Sequence, residues 1–185
     1  MKVTFFKDKH SLRQWFEKNH DIESEIWIGF YKKSSGKTGV SYDEVLDVAL
    51  CFGWIDGIRK SIDEISYCNR YTPRTARSKW SKINTEKVQR LIKAKLMMPS
   101  GLKAVNEAKA DGRWDRAYDS PKNAEVPEDF LKEIKKNKKA LAAYEALNKQ
   151  QRFSISYKLQ NTVKPETRER WIKKFIQELL GKEVN

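Results

Sequence analysis

Cysteine, histidine, proline and glycine are all scarce here: 185 residues hold two, two, five and eight of them respectively. Each scarcity removes a class of protein. Cys51 and Cys68 stand far apart with no CxxC pair, so the spacing carries no zinc signature and no disulfide framework. Both are expected to be free thiols, with Cys51 buried and inert in its apolar run. His10 and His20 flank the first predicted helix without metal-ligand spacing, and no Cys, Asp or Glu set completes a site. No metal is therefore expected. Long apolar runs are missing too. Lys7 and Asp8 cut the first apolar stretch short, which leaves no signal-peptide core, and no window approaches a membrane-spanning length. The expectation is a cytosolic chain without membrane insertion. There is no GxSxG elbow, Walker loop or GxGxxG, so a nucleophilic hydrolase has no support. Internal repeats and low-complexity segments are absent.

What is abundant is positive charge and tryptophan. Thirty-eight Lys and Arg against 25 Asp and Glu give a formal net charge of +13. That balance favours anionic partners, either a small anionic molecule or nucleic acid, although lysines on exposed helix faces account for part of it. Six tryptophans and 39% hydrophobic residues argue for packed cores rather than disorder. A chain of this length can bury such a core unaided.

The pattern predicts an α+β fold, predominantly helical, with a small, largely antiparallel sheet from segments near 3–6, 25–33 and 54–71. Glu25 to Lys33 alternates with apolar groups on both faces, as a central strand does. Ser41 with Glu44 forms a capping box ahead of a helix to Phe52, which Gly53 ends. A hairpin is predicted around Asp63-Glu64. Helices follow from Thr85 to Leu96 and from a Ser100 cap to Gly112. Trp114 to Glu125 reads as a polar linker. It divides an α+β core domain, 1–124, from a helical C-terminal subdomain, 125–185. In the latter, Pro127 suits a first helical turn, and Phe153 to Leu159 is ambiguous because its apolar residues fall every second position. The last helix runs from Pro165 to Leu180 and is expected to place Trp171, Phe175 and Leu179 in the core. The five lysines of Lys132 to Lys139 are expected to form a solvated helical face.

The most informative segment is Asn69 to Asn84. It holds five basic residues, Arg70, Arg74, Arg77, Lys79 and Lys82, and no acidic one. Hydroxyls recur at Thr72, Thr75, Ser78 and Ser81. Guanidinium forks with hydroxyl donors suit a phosphate or carboxylate, and Tyr71 and Trp80 could stack a ring or base. The plainer reading is a basic loop whose aromatics anchor it to the core. In Gly53-Trp54-Ile55-Asp56-Gly57, Asp56 sits at an element edge. There it could serve as a general base, orient an arginine, or simply make a turn.

Together, Ala49–Gly57, Tyr71-Thr72-Pro73-Arg74, Ser78–Asn84 and Met98-Pro99-Ser100-Gly101 resemble the YdeI/OmpD-associated, or bacteriocin-protection, family. Pro165-Glu166-Thr167-Arg168 ahead of an amphipathic helix resembles that family's end. The resemblance spans Trp27 to Gly181. It implies a role in resistance to bacteriocins or cationic antimicrobial peptides and an association with a porin, with no established enzyme activity and no cofactor. It directs attention to Trp54, Asp56, Thr72, Arg74, Ser78, Trp80, Ser81 and Asn84 as residues lining a ligand site. Physical chemistry bounds these implications. The predicted lack of export argues against direct contact with a porin, and the positive charge opposes direct capture of cationic peptides. The expectation is a cytosolic protein that binds an anionic small ligand. Nucleic acid on the 69–84 segment is the alternative, and an enzyme with Asp56 as general base is a weaker one.

Overall fold

The computed structural model describes residues 1–120 and 125–181. The fold is α+β, with eight α-helices and one mixed four-stranded sheet among the described residues. The chain divides into two compact units. One comprises Met1–Lys79 and Asn84–Asp115; the other comprises Trp80–Ile83 and the described residues from Arg116 onward. The expected 124/125 boundary falls on Ala124, which lies outside the described residues.

In the first unit, β1 (Val3–Thr4), β2 (Ile26–Tyr31), β3 (Trp54–Ser61) and β4 (Ser66–Pro73) form a sheet of order β1-β2-β4-β3. β1 runs parallel to β2, and the other two pairings are antiparallel. Residues directly opposite across an antiparallel pair share a face. One face therefore carries Ile26, Ile28 and Phe30 on β2 and Tyr71, Asn69 and Tyr67 on β4. The expected hairpin joins β3 to β4, where the Asp63 carboxylate accepts from Ile65 N and Ser66 Oγ at 2.9 and 2.7 Å.

Helix α1 (Lys9–Asn19) starts ahead of the predicted Ser11 because Asp8 accepts from the Ser11 amide. The predicted capping box is present at α2 (Tyr42–Cys51). Phe16 of α1 stacks on Phe52 and meets Trp54 edge-on. α3 (Lys82–Lys93) is joined to α2 by ion pairs from Lys87 and Arg90 to the buried Asp47. α4 (Pro99–Ala110) begins at a Met98 N-cap rather than Ser100. Proline at the first helical position supplies the pre-set φ there. Cys51 and Cys68 are both buried free thiols whose acidity burial suppresses.

The second unit holds α5 (Glu128–Ile134), α6 (Lys138–Ala146), α7 (Lys149–Gln160) and α8 (Pro165–Leu179). Pro127 is the N-cap of α5, one place before the predicted first turn. The ambiguous Phe153–Leu159 is helical, since Asn148 and Gln151 form a capping box at the start of α7. The core is Phe130, Ile134, Ala140, Tyr144, Ile155, Leu159 and Ile172. On α8, Ile172 is the buried residue, while Trp171, Phe175 and Leu179 are half-buried against that core. The ammonium groups of Lys158 and Lys174 lie 4.1 and 5.2 Å from the ring centre of Trp171. The five lysines of Lys132–Lys139 are exposed, but they span the end of α5 and the start of α6 rather than one helix. Within the expected linker, Tyr118 makes several contacts. Tyr118 bridges to Ser81, its amide donates to Trp80 O, and its ring meets Tyr157 edge-on.

Candidate functional site

Gly53 ends α2 with φ +78°, and the chain enters β3 through Trp54. Trp54 is buried, and its indole N–H donates to His20 O at 3.1 Å. Two residues on, Asp56 pairs with Tyr71, and the register then slips, so that Arg59 rather than Ile58 pairs with Asn69. This one-residue bulge at Gly57-Ile58 puts Asp56 and Arg59 on one face with Tyr71 and Asn69. Regular alternation would have turned Arg59 away.

α2 delivers Tyr42 to the same place. Its hydroxyl donates to Asp56 Oδ2 at 2.8 Å. Burial, with the Asp56 charge, pushes the Tyr42 hydroxyl well above the ordinary tyrosine range. The Arg59 guanidinium lies 4.5 Å from the ring centre of Tyr67 and 5.8 Å from that of Tyr42, and its Nε donates to Asn69 Oδ1 at 3.1 Å. Tyr71 is fully buried, and its hydroxyl has no hydrogen-bond partner among the described residues. Burial does most to push that hydroxyl above the ordinary tyrosine range, and the Asp56 charge adds to the shift.

The second element is the loop after β4. Arg74 N donates to Gly53 O at 2.8 Å, and Arg74 Nη1 to Lys79 O at 3.0 Å. Ser78 Oγ accepts from Thr75 N at 3.0 Å, and Ser78 N donates to Thr75 O. Arg113 braces the loop from outside, its Nη1 donating to Thr75 O and Ser78 O at 3.1 Å each, while its Nε pairs with Asp111. Arg77 stands exposed at the tip.

The expected site residues thus divide. Trp54 and Asp56 lie on one sheet face. Thr72 pairs with Ile55 on the opposite face. Arg74 and Ser78 belong to the braced loop. These five and the half-buried Asn84 belong to the first unit, whereas the buried Trp80 and Ser81 belong to the second. Tyr42, Arg59, Tyr67, Asn69 and Arg113 are residues of these two elements that sequence reasoning did not single out as candidate site residues. A glycine inside a strand is a bulge signal, so Gly57 could have flagged the change of face that recruits Arg59. Nothing local announces Arg113.

Among the described residues no group of three or more His, Cys, Asp or Glu could hold a metal ion, and no helix is long and apolar enough to cross a membrane. Residues 4–104 match the family model described as a domain of unknown function (DUF8412). Residues 123–181 match that described as bacteriocin-protection, YdeI or OmpD-associated. No curated protein and no solved structure matches the chain. Of the motifs that carried the resemblance, Pro165–Arg168 falls within the bacteriocin-protection match and the others fall within 4–104. With more than half its length in the first match, the chain belongs to the DUF8412 family, and its 123–181 segment supports assignment to the bacteriocin-protection, YdeI or OmpD-associated family.

Proposed function

We propose that this protein has a bacteriocin-protection-related role in the cytosol, exercised by binding a small anionic ligand through the Pro73–Lys79 loop. The 123–181 match supports the role. The observation that carries the ligand class is the bracing of the loop. Proline stiffens its start, and Arg113 holds two of its carbonyls, so Arg74 and Arg77 lose little freedom on meeting an anion. Arg74 clamps the anion and Arg77 closes over it. The absence of any acidic residue from 69–84 leaves the local potential positive.

A second reading, nucleic acid, draws on a different observation: the five exposed lysines of Lys132–Lys139, clustered at the end of α5 and the start of α6. One set of titrations separates the two. Pyrophosphate and a single-stranded oligonucleotide are each titrated into the protein and into Arg74→Lys, at low and moderate salt. Arg74→Lys keeps the charge and loses the fork, so pyrophosphate affinity should fall about tenfold, worth about 1.4 kcal/mol. Oligonucleotide binding that falls steeply with salt and ignores the substitution would favour nucleic acid. No binding of pyrophosphate at low salt would overturn the anion reading.

A further inference from the structure

The sheet of the first unit carries a second constellation that the anion reading does not use. Asp56 and Arg59 are opposite charges on one face, yet they form no ion pair with each other. Each is held in place by something else. Asp56 is held by the Tyr42 hydroxyl. Arg59 is held by the rings of Tyr67 and Tyr42 and by the buried Asn69. Only Nε of Arg59 is spent on Asn69, which leaves the two terminal nitrogens as a fork for a carboxylate.

The other end of the constellation is an acceptor set. Asp56 Oδ1 accepts no hydrogen bond among the described residues, and Tyr42 Oη donates its own proton to Oδ2 and keeps its lone pairs. Tyr71 is fully buried, its hydroxyl has no hydrogen-bond partner among the described residues, and it stands directly across the strand pair from Asp56. A buried hydroxyl without a partner is costly and uncommon. Three acceptors around one carboxylate match the three N–H donors of an ammonium group. A bare anion would meet Asp56, and a bare cation would meet Arg59; a molecule bearing both charges meets neither repulsion.

We infer that Asp56, Tyr42 and Tyr71 bind the ammonium group, and Arg59 the carboxylate, of a small zwitterion of the α-amino acid class. The rings of Tyr42 and Tyr67 flank the guanidinium and border the ligand's hydrocarbon part. Exposure falls from Arg59 at the surface, through half-buried Asp56 and Tyr42, to Tyr71 within, so the ammonium enters first.

The test titrates the full chain with glycine, L-alanine and L-leucine at millimolar concentrations. Ethanolamine serves as the cation-only control and acetate as the anion-only control. At least one amino acid should bind, with both controls weaker by about tenfold or more. Tyr71→Phe, Asp56→Asn and Arg59→Met should each weaken that binding by a similar factor, and Arg59→Lys should restore only part of it. Arg74→Lys should leave it unchanged, which separates this site from the loop. Silence from all three amino acids overturns the inference. So does binding that matches either control, or binding that depends on Arg74 and ignores Tyr71.

Discussion

The two units differ in what they bury. The helical unit closes over Phe130, Ile134, Ala140, Tyr144, Ile155, Leu159 and Ile172; it also buries the uncharged Ser81 and Ser156, and the Tyr144 hydroxyl inside it has no hydrogen-bond partner among the described residues. The sheet unit buries Asp47, Ser66, Asn69 and Thr85 along with its apolar core, and it leaves the Tyr71 hydroxyl unpartnered inside. A helix satisfies its own backbone and needs only an apolar stripe to dock. Buried polar side chains in a sheet must each be satisfied or be kept for another purpose. The contrast is therefore one of charge: among the described residues the sheet unit buries the carboxylate of Asp47, whereas the polar side chains buried in the helical unit are uncharged. The two family matches fall along the same division, with the uncharacterised domain over most of the sheet unit and the bacteriocin-protection match within the helical one.

The largest test asks whether the two cores are separate. Phe130 is completely buried at the centre of the helical cluster. Phe130→Ala should cost about 3–5 kcal/mol there. Hydrogen exchange should show α5–α8 amides losing protection while the β2–β4 ladder keeps its own. If the ladder loses protection to the same extent, the two cores unfold as one, and the contrast between them has no energetic meaning.

The fold was largely legible because its signals are local. The Ser41–Glu44 capping box, the two-faced alternation of Glu25 to Lys33, the Asp63-Glu64 hairpin and the Pro165 start of α8 each follow from a few neighbouring residues. The misreadings are local competitions as well. Ser100 looks like a cap, but Pro99 beside it takes the first helical position. Trp171, Phe175 and Leu179 form a helical stripe, but the stripe is wide, and its centre of burial falls on Ile172. The site was far less legible. Asp56 was visible as a carboxylate between glycines. Its partners arrive from 14 residues upstream, through Tyr42, and across a bulge that reverses the facing of Arg59. Arg113 reaches the loop from 35 residues away. Periodicity carries no information about such meetings.

A smaller effect sharpens the contrast from the sheet side. Tyr71→Phe removes an unpartnered buried hydroxyl and keeps the ring. In a purely structural core the loss of a satisfied hydroxyl is destabilising. Here the substitution should raise the stability of the ligand-free protein by about 1 kcal/mol, the part of the desolvation cost that is recovered. Denaturant unfolding reads this directly. A fall of similar size would mean that the hydroxyl is satisfied and belongs to the scaffold.

The smallest expected effect lies on the helical side, at an ion pair between helix ends. Asp129, in the first turn of α5, accepts from Arg168 of α8 through two guanidinium nitrogens, and Arg168 also donates to Leu159 O at the end of α7. The hydrogen bonds from Arg168 hold the Asp129 carboxyl below its ordinary 3.8, against a smaller opposing effect of burial. A carboxylate whose folded-state pKa is lowered contributes stability that is present above the unfolded value and is lost as pH falls through the folded one. Arg168 stays protonated throughout, because the same contact raises its own pKa. Both side chains are partly exposed, so solvent screening limits the pair to between about 0 and 1 kcal/mol. Asp129→Asn should therefore lower the denaturant midpoint slightly near neutral pH. The gap between variant and parent should close as pH drops below 3.8 and narrow with added salt. A gap that persists in acid would mean that the introduced amide fails on packing or hydrogen-bond geometry rather than on charge, and that the helical unit, too, depends on a polar group fitted into its structure.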